Sequence, residues 1–548
     1  MADERGEATT ASPRQPVSAL VTRVRSVLAS LGDDRPAGRA VVIAGVVAAV
    51  GLLAGLLSWA FASPYGTTPD EDYHMISTWC PTPGQGGCEI VDTTTSGHPV
   101  IAVPGQFLSR LCYVNHPAAS VACAQTMTDD RVWSARFSVG TYPGYYYHIM
   151  HVFASDDVNR MTLGIRVANC LIAAGLALAL LLLMNAAARR IYVWTLAVVA
   201  IPGMAWLVGS AAPDSWSIIG VTTVWAGITG AFLATVQRRR YGLLALAVIG
   251  AFLASAARSD AAVYVMVAAV TPSILHWRRL RTAWHVPAAA AVVCGIGVAG
   301  FLSGRQATGL VADGCGVSCA STPNAHGSLH LFVNNVVYFF EWFANAWRNT
   351  SDMQQPLVTV VVMFAAFVVV VGAALLRAGM TRAKALALLV AAGVFVGAPV
   401  MSLQLGHSLL SLGQGGLQQR YLFPALVILV GVALTPALAG RGRYLSLRST
   451  VALWGVVALA QAVYLHQWIR RCVTGMEGHG FNLNSGAEWW WASGPSPMLL
   501  WIIGSLGFAV ASAAVVFVGR QAEREALDIP SMAGSSSAGT GDTRCARA

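Results

Sequence analysis

Long apolar runs separated by short polar connections recur along the whole sequence. A helix needs roughly 20 apolar residues to cross the hydrocarbon core of a membrane, and most of the runs approach that length. The short run Ala261–Leu275 is counted as well, because a crossing there brings the arginines before Tyr241 and those after Leu275 to one side. The pattern predicts about twelve spans: Ala40–Ala62, Leu163–Ala187, Ile191–Ser210, Ile218–Val236, Tyr241–Ala256, Ala261–Leu275, Val286–Ser303, Leu357–Leu376, Ala385–Leu403, Tyr421–Ala439, Val451–Trp468 and Met498–Val518.

Composition supports the same fold class. Hydrophobic residues make up 55% of the 548 residues and the mean hydropathy is +0.59, which is more apolar surface than a soluble core can bury. The net charge of +10 does not indicate a nucleic-acid partner, because the basic residues lie between apolar runs instead of clustering on a soluble domain. We therefore predict an all-α polytopic membrane protein.

The arginines predict the orientation of the chain. Cytoplasmic connections carry an excess of Lys and Arg, and here such residues precede the first span and fall at every second connection thereafter. Both termini are then cytoplasmic. The first run is longer than the apolar part of a signal peptide and lacks a small-x-small cleavage site, so we interpret it as an uncleaved anchor.

These boundaries divide the chain into five parts. Residues 1–39 and 519–548 are predicted to be disordered cytoplasmic tails, residues 40–62 the first span, and residues 161–518 the main membrane bundle. Residues 63–160 form a long extracytoplasmic loop. Its mixture of cysteines, aromatic and apolar residues predicts an ordered segment.

Seven cysteines lie on the predicted outer side, where disulfides persist: Cys80, Cys88, Cys112, Cys123, Cys315, Cys319 and Cys472. The four in the first loop allow three pairings, among which the sequence does not choose. Cys315 and Cys319 could form a small staple, and Cys472 is then left over. Unpaired thiols are the alternative, and zinc is disfavoured because no C-x-x-C pair is present.

The stretch P-D-E-D-Y-H, Pro69 to His74, places scarce charge next to the first span. In a helix, Asp70 and His74 lie one turn apart with Glu71 beside them, so these groups could converge on a hydroxyl or on a divalent cation. A carboxylate at a partly dehydrated membrane edge also gains proton affinity, which suits a general base. The alternative is a helix N-cap, in which the acids satisfy free backbone N–H groups.

Two further charged groups lie on the predicted outer side. Arg258 and Asp260 follow the fifth span, where they form either an intramembrane ion pair or part of a site. Gln419, Arg420 and Tyr421 open the tenth span, and an arginine there is either a snorkelling anchor or a bidentate phosphate ligand.

Three motifs together resemble a known family. P-D-E-D-Y-H, Y-P-G-Y-Y-Y and Q-Q-R-Y-L-F-P are similar to P-P-D-E-x-x-H, P-x-x-Y-Y and Q-G-R-Y-x-x-P of a family of bacterial polytopic proteins, domain of unknown function 2142. The resemblance extends from about residue 40 to about residue 470. Thr68 replaces the first proline, and Gln419 replaces the glycine of the last motif.

That family in turn resembles the GT-C glycosyltransferases, which take a sugar from a polyprenyl-phosphate carrier at the outer face. The resemblance implies a GT-C-like fold, with Asp70 as the base, Glu71 as its partner or as a cation ligand, and His74 beside them. It also implies that Arg420 holds the carrier phosphate, with Arg258, Asp260, Gln419 and Tyr421 around the substrate. A divalent cation is the one cofactor these groups could hold, on Asp70 and Glu71.

The function expected from these residues is sugar transfer in a bacterial plasma membrane. The partners would be a polyprenyl-phosphate-linked sugar, membrane lipid and an acceptor in the cell envelope, whether glycan, lipid or protein. A transporter or flippase of lipid-linked or polar solutes is the second hypothesis, although paired halves and broken helices are not visible in the sequence. A non-catalytic protein of envelope assembly is the third.

Overall fold

The computed structural model describes residues 36–85, 87–95, 97–113, 116–126, 130–305, 328–350, 353–354, 357–377, 380–400, 418–439, 445–478 and 480–528. Helices dominate these ranges. In chain order they are α1 (Pro36–Phe61), α2 (Glu71–Trp79), α3 (Tyr145–Met150), α4 (Val158–Leu183), α5 (Ala186–Val199), α6 (Pro202–Val208), α7 (Asp214–Leu233), α8 (Gln237–Ala257), α9 (Ser259–Leu275), α10 (His285–Ser303), α11 (Ser328–Arg348), α12 (Leu357–Arg377), α13 (Arg382–Val400), α14 (Phe423–Ala439), α15 (Leu447–Thr474) and α16 (Pro497–Asp528).

Within the described ranges, seven helices are long and apolar enough to cross a membrane: α1, α4, α7, α8, α10, α15 and α16. Shorter apolar helices occupy Ser259–Leu275, Val361–Leu376 and Gln419–Thr435. The chain is thus a polytopic helical membrane protein, and the count of about twelve spans stays a prediction. Helix α16 continues to Asp528, so residues 519–528 are helical, whereas residues 1–35 and 529–548 of the expected tails lie outside the described residues.

The expectation of one straight span over Ile191–Ser210 is wrong. The chain bends by 102° between α5 and α6. Pro202 opens α6, and the residue before it, Ile201, is extended because a following proline disfavours helical backbone. Gln461 on α15 donates to the carbonyl oxygen of Ala200 at the break, at 3.2 Å, and so replaces a lost helical hydrogen bond.

Two helix pairs pack through small residues. A Cβ atom on Gly220 of α7 would lie 2.4 Å from the carbonyl oxygen of Gly250 on α8, and one on Gly51 of α1 would lie 2.7 Å from that of Gly507 on α16. Glycine is therefore required at these crossings, where the helix backbones are in direct contact.

The long loop after α1 folds around its own core. Three antiparallel strands, β1 (Ile90–Thr93), β2 (Pro99–Pro104) and β3 (Arg131–Ser134), form a small sheet in the order β1-β2-β3. Buried Tyr65, Met75 and Phe107 belong to the core between this segment and helices α2 to α4. A second, two-residue pair of strands, β4 (Asn349–Thr350) and β5 (Met353–Gln354), follows α11.

Two disulfides brace the loop. The bonds join Cys80 to Cys88 and Cys112 to Cys123, which settles the pairing that the sequence left open. Cys472 is free and buried, and the suggested staple of Cys315 and Cys319 lies outside the described residues. Arg471 on α15 donates to the carbonyl oxygen of Tyr113 at 2.8 Å, so the loop is also tied to the bundle.

The bundle has two unlike ends. At one end lies the disulfide-bonded loop, where Trp491, just before α16, donates to the carbonyl oxygen of Phe61 at the end of α1. At the other end Asn185 and Arg279 donate to the carbonyl oxygens of Leu233 and Phe232, respectively. The basic connections after α4, α7 and α9 therefore meet at the end opposite to the loop.

Candidate functional site

Asp70 lies at the loop end of the bundle, directly before α2. It has φ 54°, and it is the one non-glycine residue with positive φ in the part of the chain that the structure describes. Its side chain makes no capping hydrogen bond to α2, contrary to the simple N-cap interpretation. Instead, one carboxylate oxygen lies 2.5 Å from Arg420 Nη2 and the other 3.2 Å from Arg136 Nη2. Unusual backbone conformations of this kind concentrate at functional sites.

The proton affinity of Asp70 is lower than the sequence led us to expect. Burial alone raises the pKa of this carboxyl, but the charges of Arg420, His74 and Arg136 outweigh burial and lower the pKa to about 2. The raised affinity expected at a membrane edge is therefore wrong. Asp70 is a carboxylate at neutral pH, and its side chain is 35% exposed.

Glu71 belongs to a separate, closed group. Its carboxylate pairs with Arg166 of α4 at 2.8 Å, and the two side chains are 0% and 1% exposed. The backbone N–H of Gly66 donates to the same carboxylate at 2.8 Å, while Arg166 donates to the carbonyl oxygen of Ser63 at 2.7 Å. Glu71 therefore fastens the start of the loop to α4 and does not share a face with Asp70.

His74 is fully buried behind Asp70. Its Nδ1 lies 2.9 Å from the hydroxyl of Tyr147, and the rings of Tyr73 and Tyr142 pack against its edge. Burial lowers the pKa of this imidazole to about 4, although the charges of Asp214 and Asp70 act in the opposite direction. His74 is therefore neutral at pH 7, and its Nε2 makes no hydrogen bond to any described residue.

Arg258 joins two acids at the junction of α8 and α9. Its guanidinium binds Asp260 through two bonds of 2.8 and 3.2 Å and reaches Asp214, at the start of α7, at 3.5 Å. The ring of Tyr421 lies 4.2 Å from the guanidinium carbon. The arginine is 1% exposed, so two carboxylates and an aromatic face compensate for the loss of hydration.

Arg420 lies in the helical turn Gln419–Leu422, directly before α14. It pairs with Asp70 through Nη2, approaches Asp214 Oδ2 to 3.9 Å through Nη1, and donates to the hydroxyl of Tyr421 at 3.2 Å. Gln419 instead donates to the carbonyl oxygen of Trp342 on α11 at 3.2 Å. Gln419 therefore fixes the turn, and Arg420 links two acids.

These contacts form one connected group, which we name the acid–arginine cluster. The chain Asp70–Arg420–Asp214–Arg258–Asp260 runs without interruption across the ends of five helices, and His74 and Tyr421 lie against it. The structure thus brings together residues from the first and last of the three motifs, and the ring of Tyr142 from the second lies 5.5 Å from the guanidinium carbon of Arg258. Asp70 lies at the solvent-facing rim, whereas Asp214 and Arg258 lie behind it, 3% and 1% exposed.

Sequence reasoning missed four residues around this cluster: Asp214, Arg136, Arg166 and Tyr147. Asp214 follows Pro213 at the head of an apolar run, on the same predicted side as the three motifs. Arg166 is a lone charge inside a predicted span, which is by itself a signal for a buried partner. Tyr147 belongs to the Y-P-G-Y-Y-Y motif.

A divalent cation does not fit the arrangement. In the described part of the chain no three His, Cys, Asp or Glu side chains are placed to hold a metal ion. Each of Asp70, Asp214 and Asp260 already pairs with arginine, and Glu71 is enclosed by Arg166. The expected pair of cation ligands, Asp70 and Glu71, is thus divided between two groups.

Two apolar cavities lie elsewhere in the bundle. One of about 200 Å³ lies between α1, α4, α7 and α15, with Gln461 among its lining residues, and one of about 570 Å³ lies near Trp277 at the basic end. Neither is lined by a residue of the acid–arginine cluster.

A comparison with protein families places the chain in one of them. The model of the family described as "Predicted membrane protein (DUF2142)" matches residues 52–429. The chain belongs to this family. The matched region contains every member of the acid–arginine cluster, from Asp70 to Tyr421. No curated protein and no solved structure matches the chain. The family assignment therefore identifies the chain as a membrane protein but does not indicate a reaction.

Proposed function

We propose that the protein is a GT-C-like glycosyltransferase that moves a sugar from a polyprenyl-phosphate carrier to a cell-envelope acceptor. One observation carries the proposal: Asp70 of the first loop and Arg420, 350 residues later, meet at a part-exposed rim at one end of a membrane bundle. A guanidinium beside a carboxylate suits a reaction in which phosphate departs while a hydroxyl loses a proton.

The chemistry follows from these two groups. The acceptor hydroxyl attacks the anomeric carbon of the sugar, and the bond from that carbon to the phosphate oxygen breaks. The polyprenyl phosphate leaves with the bonding electrons and is stabilised by Arg420, while the hydroxyl proton passes to the carboxylate of Asp70. Arg258, held by Asp260 and Tyr421, adds positive charge behind the phosphate.

The low pKa of Asp70 is consistent with this role, because the pair with Arg420 is exchangeable. A carrier phosphate that binds Arg420 competes with Asp70 for the guanidinium. Arg420 is the strongest of the influences that lower the pKa of Asp70, so the released carboxylate regains proton affinity when substrate arrives. The base is thus activated in the loaded site.

The proposed location is the outer face of a bacterial plasma membrane, with both termini in the cytoplasm. The two disulfides lie at the end that carries the cluster, and disulfides persist outside the cytosol. The basic connections lie at the opposite end, as expected for the cytoplasmic side. In this orientation the rim at Asp70 lies where the headgroup of a lipid-linked sugar would be.

Loss of Arg420 tests the phosphate role. We expect Arg420→Ala to weaken binding of polyprenyl phosphate by about 10- to 100-fold, since it removes charged hydrogen bonds, and Arg420→Lys to retain part of the affinity. Arg131→Ala, in the same loop end but paired with Asp156, is the matched control. Binding to the purified protein is the measurement, with thermal unfolding to verify folding. Unchanged affinity in Arg420→Ala would remove the phosphate role.

A transporter or flippase remains the second candidate because of the break between α5 and α6. Discontinuous helices form substrate sites in many transporters, and here Gln461 faces both the break and the 200 Å³ cavity. Proteoliposomes containing a polyprenyl-phosphate sugar separate the two functions. Movement of the lipid between leaflets without loss of its sugar would favour transport, and a protein of envelope assembly would show neither activity.

A further inference from the structure

His74 and Asp214 each carry a buried polar atom without a hydrogen-bond partner in the described part of the chain. Nε2 of His74 and Oδ2 of Asp214 make no hydrogen bond to any residue that the structure describes. Their side chains are 0% and 3% exposed. Nε of Arg420 is a third such atom. Buried polar atoms are usually satisfied, so three orphaned ones in one charged cluster indicate a binding position.

The protonation of His74 follows from its neighbour. The hydroxyl of Tyr147 is buried, and Nδ1 of His74 is its one hydrogen-bond partner among the described residues. The tyrosine proton therefore goes to Nδ1, and the neutral imidazole carries its own proton on Nε2. His74 and Asp214 then offer one donor, Nε2–H, and one acceptor, the carboxylate oxygen Oδ2.

The charges around this pair exclude two classes of ligand. A second anion is disfavoured next to the carboxylate of Asp214, and a cation is disfavoured by Arg420 at 3.9 Å and Arg258 at 3.5 Å from that carboxylate. A neutral group that both accepts and donates satisfies both atoms. A hydroxyl is the simplest such group.

We propose that His74 and Asp214 form a subsite for one hydroxyl of the donor sugar, a proposal that rests on the glycosyltransferase function above. The hydroxyl accepts a hydrogen bond from His74 Nε2–H and donates one to Asp214 Oδ2. Arg420 connects this subsite to the phosphate position, because its guanidinium contacts both Asp70 and Asp214. A sugar attached to a phosphate on Arg420 therefore has a hydroxyl next to the subsite.

The test compares two probes that differ by the sugar alone: polyprenyl phosphate and the same carrier linked to a hexose. We expect the wild-type protein to bind the sugar-linked carrier at least tenfold more tightly, because unsatisfied buried groups in the empty subsite disfavour the bare carrier. In His74→Phe and Asp214→Asn the two affinities become about equal. His74→Phe keeps the ion pairs of the cluster, so this variant alone is sufficient for the test if Asp214→Asn does not fold.

The control is Asp72→Asn, on the same helix as His74. Asp72 accepts from Arg136 at 2.5 Å and is not part of the acid–arginine cluster. This variant keeps the preference for the sugar-linked carrier. Tyr147→Phe, which removes the hydrogen bond that fixes the proton on Nε2, reduces the preference without abolishing it.

The outcomes separate this subsite from the proposed function. If the wild-type protein binds both carriers equally, or if His74→Phe keeps the preference, the position holds water and the subsite is overturned while carrier binding stands. If the wild-type protein binds neither carrier, the proposed function falls and the subsite falls with it.

Discussion

Asp70 and Glu71 are adjacent in the chain, yet their surroundings are opposite. Asp70 is part-exposed and pairs with Arg420 and Arg136, whereas Glu71 is enclosed with Arg166. Removing one member of a buried ion pair leaves the other charge uncompensated, at a cost of about 3 to 5 kcal/mol. We therefore expect Glu71→Gln to lower the thermal unfolding midpoint of the purified protein strongly.

Asp72→Asn is the matched change for that experiment. The side chain of Asp72 is 9% exposed but that of its partner Arg136 is 53% exposed, so water can still compensate the arginine and the loss is smaller than for Glu71→Gln. Equal midpoints for Glu71→Gln and Asp72→Asn would contradict a structural role for the pair of Glu71 and Arg166.

The buried imidazole of His74 makes stability depend on pH. Its pKa falls from the ordinary 6.5 to about 4 on folding, so the unfolded chain binds more protons between these values. The contribution of His74 to stability is therefore full above pH 6.5 and decreases as the pH falls towards 4, by on the order of 3 kcal/mol. Unfolding midpoints measured across this range will show a steeper acid decline for the wild-type protein than for His74→Gln. Parallel curves would contradict the buried neutral imidazole.

Asp70, Arg258 and Arg420 could be predicted from the sequence as site residues, because each is a charge next to an apolar run. An unpaired charge near lipid is costly and needs a partner. The sequence did not show which charges pair. Glu71 has the same chemistry as Asp70 but pairs with Arg166, and Asp214 follows a proline at the head of an apolar run, as the first residues of many helices do. Pairing depends on the directions in which side chains leave helix ends, and hydropathy does not contain that information.

At the scale of elements, the break between α5 and α6 depends on Gln461. Its amide donates to the carbonyl oxygen of Ala200, and its oxygen accepts from Trp59 Nε1, both at 3.2 Å. Gln461→Leu leaves both partners unsatisfied in an apolar bundle, and we expect a loss of about 1 to 3 kcal/mol in thermal or denaturant unfolding.

Gln467→Leu on the same helix is the control for the helix break. Its side-chain oxygen makes no hydrogen bond to the described residues, so this substitution should be close to neutral. An equal effect of the two substitutions would show that Gln461 does not support the break.

Apolar length was sufficient to predict the long helices but not their interruptions. The runs that became α1, α4 and α16 differ from the predicted spans mainly at their ends. The run from Ile191 to Ser210 is as apolar, yet Pro202 cannot continue a helix from Ile201. The mean hydropathy of a run is little changed by a single proline, whereas the proline interrupts the helix.

At the scale of the whole molecule, the proposed orientation predicts which surfaces react from outside the cell. Trp133 at the loop end and Trp284 at the basic end are both 69% exposed, so cysteines at these two positions should be equally accessible to a reagent on their own side of the membrane. A membrane-impermeant maleimide should label Trp133→Cys in intact cells. It should label Trp284→Cys only after the cells are lysed. The reverse pattern would place the acid–arginine cluster in the cytoplasm and exclude transfer at the outer face.

The most direct measurement of the central claim is the release of polyprenyl phosphate from a panel of polyprenyl-phosphate sugars, incubated with purified protein and a membrane extract as the source of acceptor. Sugar transfer at the acid–arginine cluster predicts release from at least one donor by the wild-type protein. It also predicts a loss of about 100-fold or more in Asp70→Asn, with carrier binding retained. Equal release by wild-type protein and Asp70→Asn, or no release from any donor, would contradict the account.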